Sequence, residues 1–272
     1  MADNTVYLIT GANRGIGLAV TTLLLTRPHT TVVATARHPS PSLDSFPREK
    51  IHPTSKLTPI LLDDGAGSDP ARTSSATLAA RLRDEHGVAA LDVVVANAGG
   101  STAMGGVLTT SPEEMERDFG VNAAGPARLF QAVWPVMEHP SSSSSSSPIE
   151  GGVGEAGRQK EKKFVLITST LGSIGLLDQE VMPGVAYGMS KAAANWFARK
   201  VSVELKGKVV VGVLHPGWVQ TELGQSLADA IGYKQPPMTV EQCAKAVVEQ
   251  IDNWTPEKSG QFLSYKGEQL PW

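Results

Sequence analysis

The stretch Val6-Tyr-Leu-Ile-Thr-Gly11-Ala-Asn-Arg-Gly15-Ile-Gly17-Leu-Ala-Val-Thr-Thr-Leu-Leu-Leu25 passes from an apolar run through a glycine-rich turn into a segment with helical spacing. Val6 to Ile9 reads as a buried strand and Leu18 to Leu25 as a helix packed against it. Gly11, Gly15 and Gly17 let the backbone turn tightly and approach a pyrophosphate closely. That pyrophosphate would rest on the unpaired amides and the positive dipole end of the helix. Asn13, Arg14 and Ile16 complete the turn such a ligand would meet. A glycine turn without a ligand is the plain alternative, but the strand before and the helix after it favour dinucleotide binding. The spacing Gly-x-x-x-Gly-x-Gly differs from the general Gly-x-Gly-x-x-Gly fingerprint.

Outward from this unit, Thr31 to Thr35 is rich in β-branched residues and reads as a second strand ending at Ala36-Arg37. An acid at that point would bond a ribose 2′-hydroxyl, whereas an arginine suits a 2′-phosphate, so NADP is expected over NAD. Arg14 offers a second cation for the same phosphate, and either arginine also reads as an ordinary solvated charge. Five prolines from Pro39 to Pro59 make that connection a loop rather than a full helix. Leu57 to Leu62 is a third strand ending in Asp63-Asp64, where Asp63 is placed to accept from an adenine amino group or to sit in a turn. Thr77 to His86 has helical spacing. Leu91 to Ala96, nearly all Val and Ala, reads as a strand buried on both faces, running into the small-residue loop Asn97-Ala98-Gly99-Gly100.

Ser111-Pro112-Glu113-Glu114 starts a helix well, with a cap, a proline and early acids, and the helix is predicted to reach Met137. Asn122 falls inside it and needs a hydrogen-bond partner there, unless it lies on the outer face. From His139 to Lys163 the chain turns to polyserine, glycine and charge, which cannot pack a core and reads as a surface insertion. Phe164 to Ile167 is a fifth strand leading to Ser169. Ala186 to Leu205 is a helix carrying Tyr187 and Lys191 four apart, hence on one face, where an ammonium would lower the phenol's pKa. Val209 to Leu214 is a sixth strand ending in His215-Pro216-Gly217-Trp218-Val219-Gln220-Thr221. The remainder of the chain reads as an irregular lid at Glu222 to Met238, a helix at Thr239 to Ile251 and a strand at Gln261 to Ser264. The alternation predicts an α/β protein: one domain over residues 1–272, a Rossmann fold with a doubly wound parallel sheet of about seven strands and its ligand at their carboxyl ends. Met182, Trp218, Leu223 and Leu227 would then give the substrate pocket an apolar lining.

A chain of 272 residues with 41% hydrophobic residues buries a substantial core, and a net charge of -3 with scattered Lys and Arg argues against a nucleic-acid partner. Cys243 is the only cysteine, which excludes an internal disulfide and a Cys-based metal cluster. The start of the chain lacks the pattern of a signal peptide, and no apolar run is long enough to span a membrane, so the cytoplasm is the expected location.

Thr10-Gly11-x-x-x-Gly15-x-Gly17, Asn97-Ala98-Gly99, Asn122, Ser169, Tyr187, Lys191 and Pro216-Gly217 with Thr221 together resemble the short-chain dehydrogenase/reductase family over nearly the whole chain. The stretches TGANRGIGLAV, AYGMSKAAAN and LHPGWVQTELG resemble its carbonyl-reductase branch, the C-factor, sniffer and norsolorinic acid ketoreductase group. The polyserine insertion and Ala96, where an asparagine often stands, depart from the family pattern. The resemblance implies an NADPH-dependent reductase of a ketone or aldehyde, with a ketone of fungal polyketide type as the substrate guess and no metal. Tyr187 would give a proton to the carbonyl oxygen, Ser169 would bond that oxygen, Lys191 would hold the nicotinamide ribose, and Asn122 would fix a water. Pro216, Gly217, Val219 and Thr221 would meet the nicotinamide end, and Ser169, Met182, Tyr187, Trp218 and Leu223 the substrate. Alcohol oxidation with NAD(P) and a non-catalytic dinucleotide-binding regulator are the alternatives; the family also implies a homodimer or homotetramer.

Overall fold

The computed structural model describes residues 4–62, 77–101, 103–138, 160–179 and 182–272. Asp63, Asp64 and residues 139–159 of the expected insertion lie outside them. Seven strands form one wholly parallel sheet in the order β3-β2-β1-β4-β5-β6-β7: β1 Thr5–Ile9, β2 Thr30–Ala36, β3 Lys56–Leu61, β4 Val93–Ala96, β5 Lys163–Ile167, β6 Val210–His215 and β7 Gln261–Ser264. β1 pairs with both β2 and β4, so the sheet winds outward in two directions from it. Pro59 is tolerated because β3 is an edge strand.

Successive side chains of the strands point to opposite faces and feed two separate cores. On one face α1 (Gly15–Leu25) and α8 (Val240–Asn253) bring Val20, Leu24, Val247 and Ile251 down on Ile9, Val95 and Val165. On the other, α5 (Gly125–Glu138) and α6 (Val185–Glu204) bury Phe130, Val133, Ala194 and Ala198 against Leu8, Val94 and Phe164. Phe130 meets Phe164 edge-on at 4.9 Å between ring centres. α3 (Leu78–Asp84) adds Leu78 and Leu82 to this layer. α2, Pro41–Asp44, is a single turn, in keeping with the proline count of that connection.

Two elements differ from expectation. The helix predicted from Ser111 to Met137 is interrupted: α4 (Pro112–Phe119) passes through a π-helical turn at Gly120–Ala124 before α5. Pro126 supplies a reason, since it has no N–H to offer the carbonyl of Asn122 four residues before it. The segment expected as an irregular lid opens with a regular helix, α7 (Glu222–Ala230), because Thr221 caps it by accepting the Gly224 N–H at 3.1 Å. Its two prolines, Pro236 and Pro237, lie after the helix. Among the described residues no helix is long and apolar enough to cross a membrane.

At the amino ends of the strands, Asp92 accepts the Val6 N–H at 2.9 Å and pairs with the Lys162 ammonium at 2.9 Å, both charges being buried. This joins β1, β4 and the approach to β5, and a buried cation left alone is costly. The variant Asp92→Ala is therefore expected to lose about 3–5 kcal/mol of stability, read as a lower urea midpoint at unchanged m-value.

Candidate active site

The glycine turn is clamped from β4. The Asn97 carboxamide donates to the carbonyls of Thr10 and Gly11 at 2.9 and 3.3 Å, and the Thr10 hydroxyl accepts the N–H groups of Asn97 and Ala98 at 3.0 Å. A Cβ on Gly17 would stand 2.3 Å from the Gly11 carbonyl oxygen, and Gly11 has φ +63, so neither position takes a side chain. α1 starts with no side-chain cap and no acid in its first turn, leaving its amides to an outside anion. This fits the phosphates of a dinucleotide, with Asn13, Arg14, Gly15 and Ile16 around them. Thr221 comes within 3.4 Å of where a Gly15 Cβ would be, so the loop after β6 closes on the turn. Arg37 is exposed just past the end of β2. Arg14 is used differently: it pairs with Glu222 at the start of α7. That pair is exposed, so it is worth about 0–1 kcal/mol and yields to a stronger anion.

Asn122 is fully buried, not on an outer face. Its amide nitrogen donates to the Gly100 carbonyl at 2.7 Å and the Ser190 hydroxyl at 3.0 Å, and its oxygen accepts the Gly100 N–H at 3.0 Å. Ser190 in turn donates to the Tyr187 carbonyl at 2.7 Å. The side chain thus bridges the loop after β4 to α6, beside Tyr187 and Lys191. Gly99 fits into this bridge because a Cβ there would lie 2.9 Å from the Asn122 oxygen and 3.2 Å from the Lys191 ammonium.

Ser169, at the end of β5, accepts the Leu171 N–H at 3.2 Å and lies close enough to the buried Tyr187 phenol to lower its pKa. Lys191 donates to the Ile167 carbonyl at 3.0 Å and stands 5.5 Å from the centre of the Tyr187 ring. From the sequence the ammonium is expected to lower the phenol's pKa. The structure corrects this: burial dominates and raises the Tyr187 pKa, with the neighbouring Ser169 hydroxyl opposing it and the Asp118 charge adding to it. Burial also brings the Lys191 pKa down to about 8, against a raising influence from Asp118. The phenol therefore holds its proton at neutral pH, while the ammonium loses its charge as pH rises through about 8.

Several members of this site carry no local sequence signal. Asp118, one helical turn before Asn122, is buried and accepts the Ser101 hydroxyl at 2.9 Å; an acid in an early helical turn reads as a solvated charge. His215 accepts the Thr170 N–H at 3.3 Å, holding the turn after Ser169, and burial lowers its pKa to about 4. Met104 surrounds Gly184 together with Leu171 and Tyr187, at 3.1, 4.0 and 3.9 Å from a Cβ built there. Asn195 ties Thr168 to Gly172, accepting from the first at 2.6 Å and donating to the second at 3.3 Å.

The expected apolar lining is only partly gathered. Trp218 holds the lid: its indole donates to the Gly224 carbonyl at 3.0 Å, and its ring lies 5.2 Å from that of Tyr233. With Pro237, Met238, Gln242, Ala246 and Tyr265 it lines a hollow of about 350 Å³. Leu223 and Leu227 are half-buried on α7, and Met182 is exposed ahead of α6. Val219 is buried, with Met238 laid beside it by a backbone bridge, and Pro216 accepts from Cys243, whose pKa burial raises to about 12. Among the described residues no group of His, Cys, Asp and Glu could hold a metal ion.

A dinucleotide cradle, with a serine, a tyrosine and a lysine grouped at the carboxyl edge of one parallel sheet, defines an oxidoreductase that works on a bound nucleotide cofactor. The chain belongs to the short-chain dehydrogenase/reductase family, whose model, described as short chain dehydrogenase, matches residues 5–232. It is 34% identical to the norsolorinic acid ketoreductase of Aspergillus parasiticus, over 99% of this chain and 92% of that one. Among solved structures it is similar to the NADPH-bound carbonyl reductase from chicken fatty liver, with 26% identity, full coverage of both chains and a TM-score of 0.78. The Drosophila melanogaster carbonyl reductase Sniffer shares the fold at 24% identity and a TM-score of 0.76, also with full coverage of both chains.

The Asp118 charge should matter to Lys191 even though the two are on different helices. In Asp118→Asn, which can keep the Ser101 bond, Lys191 is expected to lose its proton at a lower pH than in the unmodified protein. Titration of the lysine side-chain NMR signal checks this, and an unchanged or raised midpoint would contradict it.

Proposed function

We propose that the chain is an NADPH-dependent reductase that converts a ketone or aldehyde to an alcohol. The observation that carries this reading is the buried Tyr187 phenol grouped with Ser169 and with Lys191, whose ammonium stands 5.5 Å from its ring centre, at the strand edge that carries the glycine turn. The cofactor, when bound, supplies the hydride. Ser169 holds the carbonyl oxygen, and Tyr187 delivers its proton there as charge develops. Lys191, fixed by the Ile167 carbonyl, keeps positive charge behind the phenol and is placed to hold the ribose. The Asn122 carbonyl, which Pro126 deprives of its usual helical donor, is available to a water that returns the proton. Arg37 at the end of β2 supports NADPH over NADH. The name of the norsolorinic acid ketoreductase relative supports a ketone as substrate, and Met104 and Leu171 give it apolar walls near Tyr187.

In Tyr187→Phe, carbonyl reduction is expected to fall about 10²–10⁴-fold while NADPH affinity stays within about twofold. NADPH absorbance and fluorescence titration measure the two quantities. A variant reducing ketones at the unmodified rate, or a protein faster with NADH than with NADPH, would refute the reading.

We also infer that two copies associate. Met189, Trp196 and Val203 recur every seven residues on α6 and are all more than half exposed, as is Phe119 at the end of α4. Such an apolar stripe is self-complementary in a two-fold pair. Trp196→Asp is expected to shift the sedimentation coefficient toward that of a single chain; an unmodified protein that sediments as one chain would remove the inference.

A further inference from the structure

After β7 the chain turns at Tyr265–Gly267 and runs back along the strand. Ser264 donates its N–H to the Glu268 carbonyl at 2.8 Å, Leu263 pairs antiparallel with Gln269, and Leu270 donates to the Phe262 carbonyl at 2.8 Å. The Trp272 ring then lies 5.6 Å from that of Phe262, which is buried in the core. This return carries Pro271 and Trp272 onto the loop after Ser169. The buried Ser173 hydroxyl donates to the Pro271 carbonyl at 2.7 Å, and the Gly175 N–H donates to the Trp272 carbonyl at 2.6 Å. The fit is close: a Cβ on Gly175 would stand 2.9 Å from the Cβ of Pro271.

Ser169 and Ser173 are four residues apart, and that interval is itself bonded, Gly172 to Ser169 at 3.0 Å and Ser173 to Thr170 at 2.8 Å. Ser169, which lies beside the Tyr187 phenol, is therefore linked through one rigid turn to Pro271. The chain enters α6 at Val185, and Ile174 and Leu177 beside Gly175 are 73% and 57% exposed. The loop is anchored at its far end by the Gly184 and Val185 N–H groups on the Gly105 carbonyl, and at its near end by Pro271 and Trp272, which set the position of the exposed apolar part.

We propose that Leu270–Trp272 is a strap that fixes the loop after Ser169 and thereby decides how bulky a carbonyl compound the site accepts. The strap touches neither the proton donor nor the glycine turn, so it is a positioning and specificity element. It rests on the carbonyl-reductase reading of the site. Its loosening should leave small carbonyl compounds indifferent, because they need only Ser169 and Tyr187, and should alter the use of large ones that must also lie along the loop.

The test is the double variant Ser173→Ala with Trp272→Ala in the full chain, assayed with propanal and with acetylnaphthalene. The KM for acetylnaphthalene is expected to change about tenfold, while kcat/KM for propanal and the Kd for NADPH stay within about twofold. Hydrogen exchange at the Gly175 amide should accelerate in the same variant. Equal losses with both compounds and with NADPH would make the segment merely structural and overturn the proposal, as would an unchanged ratio of the two KM values or unchanged exchange at Gly175. Unmodified protein that binds NADPH but reduces neither compound would instead overturn the carbonyl-reductase reading on which the strap rests.

Discussion

The buried carboxamide of Asn122 is held by three hydrogen bonds, two to the backbone of Gly100 and one to Ser190, and much of the site hangs from it. Leaving one of these partners alone would cost about 1–3 kcal/mol, so the loop after β4 and helix α6 are held in one relative position. Through Ser190 the bridge reaches the backbone of Tyr187, and its oxygen, with the Lys191 ammonium, takes the space a side chain on Gly99 would need. A polar cluster without access to water is stable only when its members are paired, and pairing fixes their geometry. The same dryness explains the chemistry. Burial keeps the phenol protonated and makes Lys191 easier to discharge, so the charge states of the pair are set by their surroundings.

A second set of contacts joins distant parts of the chain at the dinucleotide cradle. Thr221 approaches Gly15 and caps α7, Arg14 pairs with Glu222, and Trp218 bonds the third residue of the same helix. The first turn of the fold and its lid therefore share residues. A ligand that draws Arg14 away from Glu222 acts directly on the start of α7.

The strands, the glycine turn and the caps at Ser111 and Thr239 were legible because each depends on spacing within a few residues. Thr239 caps α8, and its hydroxyl accepts the Gln242 N–H at 3.2 Å. The illegible features depend on distant partners. Asp118 looks like one more helical acid until α6 covers it, and His215 looks like a strand-end residue until Thr170 points at it. The sign of the Tyr187 shift escapes the sequence for a related reason: a four-residue spacing shows that a lysine is near, but not that both groups are sealed from water. Trp218 reads as a substrate contact by its apolarity, although its N–H needs an acceptor that only the lid provides. The lid helix is obscured when its prolines are averaged over a segment whose first half has none.

Glu138 and Lys160 bracket the polyserine stretch, and the chain from Lys160 onward is anchored at the amino edge of the sheet, Lys162 on Asp92 and Lys160 itself on the Asn4 carbonyl. Ser169 and the glycine turn belong to the opposite edge, a strand's length away. Because closing a longer loop costs only slowly more, sequence of almost any length between these two anchors leaves the chemistry undisturbed. Both anchors lie on the edge where helices return to strands, whereas the loops that leave the strands carry Ser169 and the glycine turn.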